Sequence, residues 1–224
     1  MRTIAIGDIH GCAKALDTLL AALTLTARDE LNFLGDYVDR GPDSKGVLDR
    51  LIQLNLGRQA TFLRGNHEVM MLAAQDGVDS LRFWLQHGGQ AALYSYGPSA
   101  VVNDIPDHHW HFLRSTCIDA LETDHHLFVH ANLEFDKPLN EQTLDWLQWT
   151  PLIPKKHRPH CSGKTMICGH TQQTSGLPLR LEQAICIDTR AYANGWLTAL
   201  NVESGQYWQS NQQGEVREGM LQAD

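Results

Sequence analysis

The 224-residue sequence lacks the patterns that would make it a membrane, secreted or nucleic-acid-binding protein. No apolar run approaches the ~20 residues of a membrane-spanning helix. The opening apolar stretch, Thr3-Ile4-Ala5-Ile6, meets Asp8 at once and is too short for a signal-peptide core. The five cysteines (Cys12, Cys117, Cys161, Cys168 and Cys186) are odd in number and scattered, with no C-x-x-C. That argues against a disulfide framework or a zinc ribbon, and for reduced thiols in a cytoplasmic, soluble protein. Positive charge is also short. Lys and Arg number 18 against 26 Asp and Glu, giving a formal net charge of −8. Nucleic acid and anionic membranes are therefore poor partners, because no global positive field draws them in. Internal repeats and low-complexity tracts are missing as well.

Histidine is plentiful, with 12 residues. Neutral imidazole and carboxylate are both metal ligands, so the composition permits a metal site and leaves position to decide. Position is informative. Thr3 to Ile6 is strand-like, and Leu16, Leu19, Leu20 and Leu23 then fall on one helical face. Leu31 to Leu34 is a second strand, Val47, Leu48, Leu51 and Ile52 a second helix, and Thr61 to Leu63 a third strand. Asp8, Asp36 and Asn66 follow these strands at intervals of about 30 residues, the length of a βαβ unit with parallel strands. Residues 68–116 read as mostly helical. Strands return at Leu127 to Val129, Thr165 to Cys168, Ala184 to Ile187 and Trp196 to Val202. The last forms a hairpin with Tyr207-Trp208 through Glu203-Ser204-Gly205. Residues 151–162 read as an exposed loop. The expected organisation is one α/β domain over residues 1–210 with an antiparallel portion, followed by a frayed polar tail over 211–224.

Each strand end carries a polar cluster: Gly7-Asp8-Ile9-His10-Gly11, Gly35-Asp36-Tyr37-Val38-Asp39-Arg40-Gly41, Gly65-Asn66-His67-Glu68, His130-Ala131-Asn132 and Gly169-His170-Thr171. Ligand sites of α/β sheets collect at the carboxyl ends of strands, so these clusters should converge. Asp8, His10, Asp36, Asn66, His130 and His170 are too many ligands for one tetrahedral ion and suit two metals sharing a carboxylate. The mixed N and O donors suit Mn²⁺, Fe or Zn²⁺. His67-Glu68-Val69-Met70-Met71 is not a zincin motif, because position 71 is Met. Ser162-Gly163-Lys164-Thr165 is not a phosphate-binding P-loop, because position 158 is Arg.

In these motifs the chain resembles the phosphoprotein phosphatase family of binuclear-metal, calcineurin-like phosphoesterases, particularly the small bacterial serine/threonine protein phosphatases. The resemblance covers G-D-x-H-G at 7–11, G-D-x-V-D-R-G at 35–41, G-N-H-E at 65–68 and the histidines at 130 and 170. It implies a β-sandwich of mixed sheets flanked by helices, with a βαβαβ metal-binding core. It implies Asp8 and His10 on one divalent ion, Asn66, His130 and His170 on the other, and Asp36 bridging, with Mn²⁺ as the expected metal. It implies in-line hydrolysis of a phosphomonoester by metal-activated hydroxide, with His67 as general acid oriented by Asp39. Arg40 and Asn66 would bind the substrate phosphate.

Two features qualify the match. Family members usually carry a second phosphate-binding arginine in a Trp-x-Arg-like segment, whereas this chain reads Trp146-Leu147-Gln148-Trp149-Thr150-Pro151. Lys155, Lys156, Arg158 or Lys164 could substitute, and Lys164 is taken as a substrate-binding candidate. Dinucleoside tetraphosphate hydrolases of the same superfamily resemble the chain at its first motif but tend to read Val-Ala-Arg-Gly and Gly-Asn-His-Asp at the next two. The sequence therefore ranks a phosphoprotein or small phosphoester ahead of a dinucleotide as substrate. A metal-binding regulator without catalysis ranks lower, since no ligand or acid is missing. Glu68 reads as a helix-start residue.

Overall fold

The computed structural model describes residues 2–57 and 60–222. Strand β1 (Thr3–Ile6), helix α1 (Ala13–Ala22), β2 (Glu30–Phe33), α2 (Ser44–Gly57) and β3 (Ala60–Phe62) alternate as expected. The three strands pair in parallel, with Ile4 beside Leu31 and Leu31 beside Ala60. Four helices follow: α3 (Asn66–Ala73), α4 (Val78–Trp84), α5 (Gln90–Tyr96) and α6 (Asp107–His111). Then come β4 (Ala120–Glu122), β5 (His126–Val129), α7 (Leu144–Gln148), β6 (Thr165–Cys168), β7 (Leu179–Leu181), β8 (Ala184–Cys186), β9 (Leu197–Asn201), β10 (Gln206–Ser210) and β11 (Val216–Met220).

These strands make two mixed sheets, a six-stranded one in the order β11-β10-β9-β1-β2-β3 and a five-stranded one in the order β4-β5-β6-β8-β7. Period-2 alternation explains how they stack. Ala5 of β1, Phe128 of β5, Ile167 of β6 and Leu200 of β9 share one buried cluster, which is the layer between the sheets. Their neighbours Ile4 and Ile6 turn the other way, onto α1 and α2. Leu127, Val129, Met166 and Cys168 turn outward beneath Leu147 and Leu152. Both faces of these strands are buried, which is why they read as continuous apolar runs. The sandwich flanked by helices agrees with the expected fold.

The C-terminal tail departs from expectation. Residues 211–220 are not frayed: β11 pairs along its whole length with β10, from Gln206 beside Met220 to Ser210 beside Val216. Arg217 locks it by donating to Gln209 and to the Gly176 carbonyl, each at 2.7 Å. Val-Arg-Glu-Gly-Met is an edge strand with little to bury, so its side chains carry no apolar alternation to read. Ala223 and Asp224 of the expected tail lie outside the described residues. Short β4 and β7 also escaped the sequence pattern, being three residues each.

The parallel sets β1-β2-β3 and β5-β6-β8 direct their carboxyl ends to one edge of the sandwich. The contacts joining the two sets there are specific. His130, just past β5, hydrogen-bonds to the Leu34 carbonyl just past β2 at 2.8 Å. The His170 N–H, past β6, donates to the Asp8 carboxylate past β1 at 3.0 Å.

Candidate metal centre and active site

The five polar clusters meet at that edge. Asp36 sits in the middle, with His10 Nε2 3.4 Å from its Oδ2 and His130 Nε2 3.4 Å from its Oδ1. His10, Asp36 and His67 form one group whose potential ligand atoms all lie within 4.8 Å of one another, and Asp36, His130 and His170 form another. Asn66 Oδ1 is 3.0 Å from both His130 Nε2 and His170 Nδ1. Asp8 stands beside these groups, tied to the His170 N–H.

The backbone is strained to bring them there. His10, Asp36, Asp39, Arg40 and His170 all have positive φ, between 46° and 73°, although none is glycine. Such residues persist only where surroundings over-determine them, and they gather at functional sites. Two glycines are demanded by close approach. A Cβ on Gly65 would run into the Asp36 carboxylate. Gly88, at φ 114° in a tight turn between α4 and α5, offers its carbonyl to the Arg40 N–H at 3.2 Å, and a Cβ there would meet Arg40.

Hydrogen bonding fixes the imidazole tautomers. His10 Nδ1 donates to the Val38 carbonyl (2.9 Å), His130 Nδ1 to that of Leu34 (2.8 Å) and His170 Nε2 to that of Trp149 (3.1 Å). The other nitrogen of each ring keeps its lone pair and faces the centre, the arrangement expected of metal-ligating histidines. Burial lowers the pKa of His10 well below the usual imidazole value, that of His130 below it, and that of His170 to about 4, so all three are neutral. His130 Nε2, His170 Nδ1 and Asn66 Oδ1 are then three acceptors converging with no proton between them, a donor set that fits a cation. The carboxylates fit one too. Burial first, then the charges of Asp188 and Asp36, push Asp8 well above the usual carboxylate range. Asp188 Oδ2 is buried with no hydrogen-bond partner.

His67 and Asp39 form a second unit. His67 Nδ1 lies 2.6 Å from Asp39 Oδ2, and Trp84 Nε1 donates to both Asp39 oxygens at 2.9 and 3.0 Å. Burial alone would lower the His67 pKa, but the Asp36 charge and the Asp39 hydrogen bond outweigh it and hold the imidazole above its usual value. The Arg40 guanidinium donates to His10 Nε2 at 2.8 Å and lies 4.9 Å from the Tyr192 ring centroid.

Lys164 is not part of this assembly. It precedes β6, at the opposite end of that strand from His170, and its ammonium is held by Glu122 (2.8 Å) and the Thr123 carbonyl (2.7 Å). A strand of four residues, roughly 13 Å, separates the two ends. The substrate-binding expectation for Lys164 is therefore corrected. Arg158 is paired with Asp136 at 3.0 Å, while Lys155 and Lys156 are exposed.

Several residues at the site were not singled out as functional from sequence. Glu68 is fully buried and receives the backbone N–H groups of Asp36 (2.8 Å), Tyr37 (2.8 Å) and Gly65 (2.9 Å). Burial, then the Asp36 charge, raises its pKa to about 7. Trp84 anchors Asp39, Tyr192 lies under Arg40, and Asp188 follows β8 as a sixth polar strand end. Asp188 had a signal, since Ile187-Asp188-Thr189 repeats the strand-then-acid pattern of the first two motifs.

Comparison with known proteins agrees with this geometry. The profile described as calcineurin-like phosphoesterase matches residues 1–173. A symmetrical bis(5'-nucleosyl)-tetraphosphatase of Ralstonia nicotianae is 49% identical over 77 residues, 34% of this chain and 26% of that protein. Its counterpart in a Janthinobacterium species is 34% identical over 134 residues, 59% of this chain and 44% of that one. The chain thus spans less than half the length of these curated relatives. Among solved structures, one assigned as a diadenosine tetraphosphatase superposes with a TM-score of 0.67 at 23% identity, covering 98% of this chain and 93% of its own. A protein serine/threonine phosphatase from Saccharomyces cerevisiae superposes at 0.62 with 14% identity, covering 100% and 80%. At these identities the structural matches show the fold alone.

Proposed function

Because the chain belongs to the calcineurin-like phosphoesterase family, we propose that it is a divalent-metal-dependent hydrolase of dinucleoside tetraphosphates. The observation that carries the metal chemistry is the convergence of His130, His170 and Asn66 lone pairs beside Asp36. The substrate follows the curated relatives, which carry the tetraphosphatase name. This reverses the ranking drawn from motif spelling alone, where Asp39 and Glu68 had favoured a protein phosphatase.

In this reading Asp8, His10 and Asp36 hold one ion, and Asp36, Asn66, His130 and His170 the other, with Mn²⁺ the proposed metal. When bound, the ions supply Lewis acidity to a phosphoryl oxygen and acidify water for in-line attack. The chain's own groups do the rest. Arg40 grips phosphate oxygens through a forked, always charged guanidinium, braced on Tyr192. His67, protonated and oriented by Asp39, delivers its Nε2 proton to the departing phosphate oxygen. Asp39 orients the imidazole and is itself held in place by the Trp84 N–H, which donates to both of its oxygens. Water adds across the central anhydride of diadenosine tetraphosphate, and two molecules of ADP leave. The five free cysteines accord with a cytoplasmic setting, which is part of the proposal.

The deciding experiment compares kcat/KM on diadenosine tetraphosphate, a phosphoserine peptide and p-nitrophenyl phosphate, with Mn²⁺ and with chelator. ADP formation faster than peptide dephosphorylation, and lost on chelation, is the expected result. Faster peptide dephosphorylation would restore the protein phosphatase. Bound metal with no turnover on any of the three would leave a non-catalytic regulator.

A further inference from the structure

A recess of about 490 Å³, within the range of small-molecule sites, opens among the loops that follow β5 and α7. Its walls are continuous with the metal loops. One begins at Asn132, two residues past His130. The other begins at Thr150 and Pro151, which follow Trp149, the residue whose carbonyl holds His170. Asn132 Nδ2 ties the two walls together by donating to the Pro151 carbonyl at 3.1 Å.

The lining is aromatic. Phe135 and Trp146 meet edge to face with centroids 6.4 Å apart, and the His157 ring is 5.2 Å from Phe135. All three are only half-buried, so ring surface remains for a ligand. Ile153 at the rim is 42% exposed. The charges are sorted as well. The acids lining the recess are already paired, Asp136 with Arg158 (3.0 Å) and Glu134 with Lys137 (2.8 Å). Lys156 has no ion pair among the described residues, leaving one positive charge on the wall.

We infer that this recess is a nucleoside subsite, which seats one base of a nucleoside polyphosphate while its phosphates run past Lys156 to the centre. The inference rests on the reading of the centre as a dinucleotide hydrolase. A flat heteroaromatic base suits a ring-lined recess, because stacking on aromatic side chains is favourable and tolerant of base identity. The polyphosphate supplies the negative charge that Lys156 lacks. The segment that begins at Trp146 supplies no arginine: Gln148 is buried and donates to Asp119 at 2.9 Å, while Trp146 itself lines the recess.

The test uses the full chain with Mn²⁺ and the variants Phe135→Ala and Ile153→Glu. Ile153 is exposed, so its substitution does not disturb the core. AMP affinity is measured by calorimetry, and kcat/KM is compared on diadenosine tetraphosphate and on inorganic tripolyphosphate, which has the anhydride without the nucleoside. Expected are a loss of about tenfold in AMP affinity and a similar fall in the dinucleotide-to-tripolyphosphate ratio, carried by KM. A ratio and an AMP affinity within twofold of the parent in both variants overturn the inference, even if the dinucleotide is cleaved well. AMP binding lost in the variants of a protein that cleaves no dinucleotide upholds the subsite and rejects the functional reading instead. A phosphopeptide that binds and is weakened by both changes, with AMP not binding at all, assigns the recess to a peptide and overturns the inference.

Discussion

The buried carboxylate of Glu68 accepts the backbone N–H of Asp36 at 2.8 Å. It thereby holds the loop after β2 to the first turn of α3, which carries Asn66 and His67. Tyr37 and Gly65 donate to the same carboxylate. One acid thus sets the spacing between Asp36, Asn66 and His67, the candidate shared ligand, a candidate ligand and the candidate proton donor. Glu68→Gln keeps the shape but turns an amino group toward amide donors. A buried N–H left without an acceptor costs about 1–3 kcal/mol. The variant should lose that much in urea unfolding, and its Mn²⁺ affinity should fall roughly 10- to 100-fold, as for other groups that orient ligands. Unchanged metal affinity by calorimetry would reduce Glu68 to a helix-start residue.

The His67–Asp39 pair predicts a dependence on leaving group. His67→Asn should lower kcat about 10²- to 10⁴-fold on substrates whose departing oxygen needs a proton, and much less on p-nitrophenyl phosphate. Asp39→Asn should give a smaller loss of the same kind, because it misorients the imidazole without removing it. The double variant should be scarcely worse than His67→Asn alone, since the two residues act as one unit. Steady-state kinetics on a series of aryl phosphates of graded leaving-group pKa measures this. Equal losses across the series would remove His67 from the proton-donor role.

The convergence of the candidate site was largely legible because the residue types that suit metal chemistry stand at strand ends. Asp8, His10, Asp36, Asn66, His130 and His170 could be found by following short apolar runs to the polar residues after them. What stayed hidden lacked such a constraint. Glu68 acts through backbone amides, which no side-chain pattern reveals. Trp84 reaches Asp39 from 45 residues away, across a helical region whose path the sequence does not specify. Lys164 was misplaced because a cation near a glycine looks alike at either end of a strand. In the fold, strands buried on both faces were plain, whereas β11 was not, because an edge strand is held by main-chain bonds and needs no apolar face.

Acid stability should report on the base of the six-stranded sheet. Asp29 is buried and bonded by the Arg2 guanidinium, with Nη2 to Oδ2 at 2.6 Å, and by the Thr26 N–H at 2.8 Å. The Arg2 hydrogen bonds hold its carboxyl well below the usual range. A depressed folded-state pKa means the stabilisation is complete above the unfolded value, about pH 4, and is lost as pH falls further. Asp29→Asn should therefore cost about 1 kcal/mol at pH 7, because Arg2 is partly exposed. The difference in urea midpoint between parent and variant should close between about pH 4 and pH 2. A difference that stays constant over that interval would mean the carboxylate charge contributes nothing.

Arg40 offers the sharpest separation of binding from chemistry. Its backbone is pinned at φ 67° by the bond to Gly88, and its guanidinium lies over Tyr192 and against His10. A phosphate gripped there gains two parallel donors from one planar group, which an ammonium cannot reproduce. Arg40→Lys should therefore recover little of what Arg40→Ala loses. Both should lower kcat/KM by about 10- to 100-fold, one to two decades of the charge-assisted hydrogen-bond strength. Tyr192→Leu should give a milder loss confined to KM, since it removes the ring beneath the guanidinium and leaves its charge. Full recovery of kcat/KM in Arg40→Lys would show that Arg40 acts as a point charge, and the bidentate grip would have to be abandoned.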